Sequence, residues 1–487
     1  MKAPRTWVDL SIARDVVKVS LPLMFGMAGN LVMMLVDRIA LARYSEATLI
    51  ASGPAVFTGM TIIMFVTGIA GITRSYVAQA HGRGDHEGTV DEGAAGVLLA
   101  VGLAVLMLLA TPLITRIPEL SNRPAGSVAL ESVFLEWSVR FGAVMTLNMA
   151  LASYFNGTRK TRVPMVVGLI GQAVGVLMCI GLIFGNFGLP ELGMRGSGIA
   201  TFIAVSVMFV GYVVCLPRTF YAGFSRLFGN GVRKVATLIG QRLRKGAPSG
   251  GSSGLEEMGH TSFVWIAGIL GPVALAANNT ALSLNYVAII PLIGLGIGCS
   301  ILSGNSVGEN KHDRVPHILR AALAVGSVYV LTVAVFQIFL PTLLLSPFGL
   351  DGADPATMDT AVDTSRVLWM YSVAFMFSMF GGAVLESFGL PRFVFLTRIG
   401  VVWVLSVPTI LVIALLNEDK SGVLVLIWVV YSLFEGVMGA LYFWRIRRAA
   451  ASGENQLVQP QPDSAPASES DAKPGAKRNA EGDVQPV

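Results

Sequence analysis

Asp37, Glu256, His260 and Glu386 stand within stretches of sequence that are otherwise apolar, so chemistry is sought there first. An ionisable side chain at the centre of a lipid-embedded helix costs roughly 2.5 to 3.5 kcal/mol and persists where it has a partner or a task. A carboxylate in that setting can take up a proton or a small cation, because burial disfavours its charged form and an approaching cation favours it. Glu256 and His260 stand four residues apart on one helix face and can share a proton or hold a cation jointly. Asp37 comes about 21 residues into its apolar stretch, roughly 30 Å along a helix, which places it in the outer half. Glu435 lies mid-stretch between Phe434 and Gly436 and reads as a structural pairing group. Arg74, Arg140 and Arg398 fall near stretch ends and read as snorkelling or topological, with Glu136 available to Arg140 at i, i+4.

The elements that must position these groups are set by composition. With 53% hydrophobic residues, 13% charged residues and a mean hydropathy of +0.66 over 487 residues, the chain is an all-α polytopic membrane protein. Stretches long enough to cross the bilayer lie near 16–43, 52–80, 93–115, 132–157, 163–187, 194–217, 247–270, 274–304, 316–345, 363–389, 393–416 and 421–446. Each must be a helix, because lipid offers the backbone no other partner. The expected organisation is an N-terminal segment 1–15, a six-helix bundle 16–217, an amphipathic linker 218–246, a second bundle 247–446 and a disordered tail 447–487.

Lys and Arg concentrate at the N-terminus, the turn at 157–163, the linker and the end of the last span, which predicts that both termini are cytoplasmic. The net charge of +5 and pI near 9.1 therefore report topology, and no nucleic-acid partner is expected. The first apolar run is too long for a signal peptide and contains Asp37, so it is retained as a span. Cys179, Cys215 and Cys299 sit in apolar spans without metal or disulfide spacing. The Glu256 to His260 spacing lacks the second His of a zinc-protease motif, and Asp351, Asp354, Asp359 and Asp363 read as an acidic loop. No catalytic residue, metal or cofactor is expected beyond a coupling ion.

One motif fixes the arrangement further. The run Gln79-x-x-Gly82-x-Gly84-Asp85 closes the second span, and a degenerate copy, Ser303-Gly304-Asn305-Ser306-Val307-Gly308-Glu309-Asn310, closes the eighth, 226 residues later. The glycines allow close helix packing and sharp turns, and Asp85 or Gln79 can cap helix ends, so the motif reads as structural. Together with Gly157 through Thr161-Arg162-Val163-Pro164-Met165, the passage Gly193-Met194-Arg195-Gly196-Ser197-Gly198, Gly246-Ala247-Pro248 and Leu275-Ala276-Ala277-Asn278-Asn279, it resembles the multidrug and toxic compound extrusion (MATE) family. The likeness to bacterial NorM-type members covers nearly all of residues 16–446.

That resemblance implies two six-helix repeats of the MATE and MOP-flippase fold, rocking to give alternating access. It implies exchange of H⁺ or Na⁺ for organic, cationic or amphipathic compounds by a monomer in the inner membrane. It also implies that Asp37 takes part in cation coupling and that Glu256 stands where NorM-type members carry a helix 7 carboxylate. The chain departs from the family at helix 5, which reads Gln172, Gly175 and Cys179 where Asn, Asn and Asp occur, and at helix 10, which reads Phe375 for Asp. Glu386 stands where the family often has Arg and is a candidate proton or substrate group. The alternative from the same superfamily is a flippase for a lipid-linked oligosaccharide, whose cavity should be lined with Arg and Lys.

Overall fold

The computed structural model describes residues 9–120, 125–229, 231–345, 354–417 and 420–457. The expected tail beyond 457 and Asp351 of the acidic loop lie outside the described residues. In the first half, helix 1 is Leu10–Tyr44, helix 2 is Glu46–Gly71 continued by Thr73–Gly82, helix 3 is His86–Leu109, helix 4 is Ala125–Gly157, helix 5 is Arg162–Phe184 and helix 6 is Gly193–Cys215. In the second, helix 7 closes the long element Val232–Ile269, helix 8 is Pro272–Gly308, helix 9 is Val315–Phe339 and helix 10 is Pro355–Ser365 continued by Leu368–Ser387. Helix 11 runs through Pro391–Arg398, Ile399–Ser406 and Val407–Leu415, and helix 12 is Val423–Ser452.

Among the described residues, 10 helices are long and apolar enough to cross a membrane. Helices 4 and 7 complete the twelve columns; helix 4 carries Glu131, Glu136 and Arg140, and helix 7 opens on the polar run Ser249-Gly250-Gly251-Ser252-Ser253-Gly254. That run has a packing role. Gly250 approaches the helix 2 backbone, and a methyl group on Gly68 of helix 2 would meet the Gly250 Cα at 2.8 Å. Gly294 and Gly298 of helix 8 likewise lie against Met24 and Ser20 of helix 1. Small residues thus let helices 1 and 2 of one half close on helices 8 and 7 of the other.

The two motif copies meet at the seam between the halves. Gly82 lies on the backbone of Asn305, and Gly308 lies on the backbone of Gln79, so neither position has room for a Cβ. Gln79 Nε2 donates to the carbonyl of Ser387 at 2.7 Å, and Asn305 Nδ2 donates to that of Gly157 at 3.3 Å. Both copies end in a residue with positive φ, Gly84 at 74° and Asn310 at 57°, after which Asp85 N bonds the Ala80 carbonyl and Lys311 N the Ser306 carbonyl. Asp85 caps helix 3 through Gly88 N at 2.7 Å. Gln79 caps nothing in its own helix; it reaches across to the second half.

Two expected boundaries move. The linker is a separate helix over Arg218–Gly229, and the rest of it is continuous with helix 7. Phe220 is fully buried against Tyr154, with ring centroids 4.7 Å apart, and Arg226 pairs with Asp91 at 2.7 Å. Arg242 pairs with Glu92 and lies over the Tyr76 ring at 4.5 Å. At the other end, helix 12 continues to Ser452, and residues 454–457 fold back onto the seam, so disorder does not begin at 447. Arg445, Asn455 and Gln456 find partners there that composition did not reveal.

Candidate coupling sites in the two halves

The second half contains a charged cluster at the meeting of helices 7, 10, 11 and 12. Arg398 Nη1 lies 2.6 Å from Glu256 Oε2, with the Arg398 side chain 10% exposed and that of Glu256 30% exposed. Glu435, buried in helix 12, accepts from Ser378 Oγ of helix 10 and lies within electrostatic reach of Arg398 and Glu256. The guanidinium therefore pairs with Glu256 and lies near a second carboxylate that Ser378 holds. Aromatic rings close the cluster, with Tyr371 stacked on Tyr431 at 5.4 Å and edge-on to Trp428 at 5.6 Å.

Helix 11 places Arg398 in the interior on the buried face of its first segment, in line with Pro391 and Val394. Residues Ile399–Ser406 form a π-helix just ahead of Pro408, which has no N–H to continue the α-helical ladder. Within that segment Trp403 Nε1 donates to the Leu255 carbonyl at 3.3 Å, tying helix 11 to the residue before Glu256. The expectation that Arg398 snorkels at a span end is thereby corrected: it is buried and bound. Glu256 and His260 do not share a hydrogen bond either. The guanidinium takes the carboxylate, while His260 Nε2 lies 3.4 Å from the Tyr371 hydroxyl and its ring meets Tyr286 edge-on at 6.4 Å.

The first half holds a simpler site. Asp37 Oδ1 accepts from Ser197 Oγ at 2.5 Å and from Cys179 Sγ at 3.4 Å, joining helices 1, 6 and 5. Both donors are neutral. Among the described residues, no basic side chain forms an ion pair with Asp37. Seven residues earlier on both helices, roughly 10 Å along the axis, Gln172 Nε2 donates to Asn30 Oδ1 at 3.2 Å. Between these rungs Gly175 makes room for the Met33 sulfur, 3.0 Å from where a Cβ would stand. The departures at helix 5 thus form a consistent set: Cys179 is a donor to Asp37, and Gly175 admits an apolar side chain.

Glu386 lies at the seam, away from both clusters. Its Oε1 accepts from Ser249 Oγ at 2.5 Å, and its Oε2 lies 3.8 Å from Arg74 Nη2 of the opposite half. Arg74 is thus an inter-half partner rather than a snorkelling residue. Asn156 and Ser300, the repeat counterparts of Glu386 and Arg74, are neutral, so the charge pair occurs on one side of the repeat only. Sequence reading missed the partners Arg398, Ser378 and Ser197. Their signal was present for Arg398 as a basic residue inside a span, whereas a serine in a helix carries none.

Two six-helix repeats packed through a duplicated motif, each with a carboxylate inside its bundle, define a duplicated membrane transporter. The chain belongs to the MatE family, whose model matches residues 22–180 and 248–412, one stretch in each half. It is 27% identical over 376 residues to the multidrug resistance protein PmpM of Pseudomonas aeruginosa, covering 75% of each chain. It is 24% identical over 409 residues to that organism's probable multidrug resistance protein NorM, covering 81% of each. Among solved structures, a MOP superfamily transporter from Pyrococcus furiosus matches with a TM-score of 0.78 at 17% identity, covering 91% of this chain and 96% of that one. A mutant of the Vibrio cholerae MATE transporter VcmN matches with a TM-score of 0.77 at 17% identity, covering 91% and 98%.

Proposed function

We propose that this protein is a secondary active efflux transporter of the multidrug type that exchanges H⁺ or Na⁺ for organic cations. The observation that carries this reading is Asp37: a carboxylate inside the bundle whose partners are a hydroxyl and a thiol, leaving its charge to be met by a mobile cation. In the second half Glu256 already has an internal cation in Arg398, so an incoming cation must compete with a guanidinium there. Coupling at Asp37 and adjustment at the Glu256 cluster is the division of labour this supports. The names of the relatives point the same way, toward drug export.

The face that carries the motif copies and both described chain ends is assigned to the cytoplasm, in keeping with its Lys and Arg content. One chain supplies both halves, so a monomer in the inner membrane suffices. A flippase for a pyrophosphate-linked sugar would need free basic groups in its cavity. The interior guanidinium of Arg398 is engaged by Glu256 and that of Arg74 faces Glu386, which favours a cationic cargo.

The deciding experiment is efflux of a cationic dye from everted vesicles under separately imposed pH and Na⁺ gradients. One gradient should drive transport, and Asp37→Asn should abolish it at equal expression. Full gradient-driven efflux in Asp37→Asn would overturn the reading.

A further inference from the structure

The seam between the halves is occupied by a segment of the chain itself. Helix 12 ends at Gly453, in the left-handed region at φ 63°, and the next four residues run across the motif face. Asn455 Nδ2 donates to Gln79 Oε1 at 3.0 Å, Gln456 N donates to the Phe388 carbonyl at 3.0 Å, and Lys245 Nζ donates to the Gln456 carbonyl at 3.0 Å. Glu454 accepts from Arg445 at 2.6 Å, and Leu457 is buried at 8% exposure. Gly389, at φ 78°, leaves the space: a Cβ there would stand 2.7 Å from Leu457 Cγ and 2.8 Å from Leu457 N.

Gln79 is the link to function. Its Nε2 is given to Ser387, so its Oε1 is the remaining polar end, and Asn455 takes it. Both ends of a first-half side chain are then held by the second half. The repeat counterpart Asn305 donates to Gly157 and Ile301, and the segment that follows the first half, Arg218–Gly229, packs on Asp91 and Tyr154 instead. The strap is therefore an addition to the symmetric seam, placed where the halves must part if this face is to open.

We propose that Glu454-Asn455-Gln456-Leu457 is an intramolecular latch whose docking on Gln79 and the Phe388-Gly389 turn holds the motif face closed, and whose release permits opening. This rests on the transporter reading above, with alternating access at this seam. A latch made of one hydrogen bond across the halves and one buried leucine can tune such an equilibrium without locking it, since a net hydrogen bond shifts a two-state population by roughly two- to tenfold.

The test places spin labels on Lys160→Cys in the turn before helix 5 and Arg392→Cys in the first turn of helix 11, both exposed, in a Cys215→Ser background that leaves only the buried Cys179 and Cys299. Electron–electron distance distributions are then compared in nanodiscs. Truncation after Ser452 should raise the long-distance population about fivefold relative to truncation after Leu457, which should match the full chain. Asn455→Ala should move it in the same direction by about twofold, and it carries the test by itself should the shorter truncation fail to fold. The labels read the seam whichever way the protein faces and whether or not it pumps drugs, so failure of the transport reading leaves this result interpretable. Unchanged distributions on truncation after Ser452, or in Asn455→Ala where that truncation does not fold, overturn the proposal.

Discussion

Gln79 and Asn305 occupy the same place in two copies of one motif, and each donates its side-chain amide to a backbone carbonyl of the other half, at Ser387 and Gly157. The exchange is reciprocal because the copies face each other about a pseudo-twofold axis, with Gly82 on Asn305 and Gly308 on Gln79. A backbone carbonyl cannot rotate away as a side chain can. The halves are thus held by geometry at the seam more than by charge.

The glycines should be intolerant for that reason. Gly82→Ala and Gly308→Ala each place a methyl group against a carbonyl that belongs to a helix, where relief requires the helices to separate. Overpacking of this kind costs about 1 to 3 kcal/mol. Each substitution should lower the thermal unfolding midpoint in detergent and reduce dye efflux, whereas Gly102→Ala, at a position open to its surroundings, should do neither. Equal stability of Gly82→Ala and Gly102→Ala would refute the close packing.

At the first-half site, Ser197 and Cys179 hold Asp37 in place. Ser197→Ala removes a hydrogen bond to a carboxylate, worth about 1.5 to 3 kcal/mol, and should reduce coupled efflux roughly tenfold or more while Asp37→Asn abolishes it. Cys179→Ser keeps a donor and should stay near wild type. Initial rates of dye efflux at matched expression decide the order. A Cys179→Ser variant as inactive as Asp37→Asn would mean that the site requires the thiol itself as well as the carboxylate, and would overturn the reading of Cys179 as a replaceable donor.

Much of this was legible in the chain. The twelve apolar stretches and the 226-residue repeat of the glycine motif gave the architecture, because span length and helix approach depend on residue size and polarity that sequence states directly. Asp37 and Glu256 stood out because an acid in lipid is costly anywhere. Their partners did not. Arg398 met Glu256 between helices 142 positions apart in sequence, and Glu386 met Arg74 across an interface between elements 312 positions apart. Residues 454–457 read as tail because their order comes from tertiary hydrogen bonds, to which composition is blind.

Topology can be checked independently. The basic residues of the linker helix, Arg218 and Arg226, and of the end of helix 12, Arg445, Arg447 and Arg448, should all lie on the cytoplasmic side. A reporter fused after Val487 should behave as a cytoplasmic one, and one inserted at Glu191, between helices 5 and 6, as a periplasmic one. Periplasmic activity at the C-terminal fusion would invert the assignment of the motif face.

The Glu256–Arg398 pair makes the sharpest energetic prediction. Removing one partner of a buried ion pair strands the other, at a cost of about 3 to 5 kcal/mol, whereas replacing both with neutral groups of similar volume can be nearly neutral. Arg398→Met should therefore be strongly destabilised, with Glu256 and Glu435 both left without their cation. Glu256→Gln should be milder, because Arg398 keeps a second carboxylate, Glu435, in its neighbourhood. The double variant Arg398→Met with Glu256→Gln should recover part of the loss but less than all of it, since buried Glu435 still lacks the nearby guanidinium, and adding Glu435→Gln should recover most of the remainder. Thermal unfolding of these variants beside the unsubstituted protein gives the coupling energy directly. Strict additivity of the Arg398→Met and Glu256→Gln effects would show that the two side chains do not interact, and would leave Glu256 free to meet an incoming cation without competition.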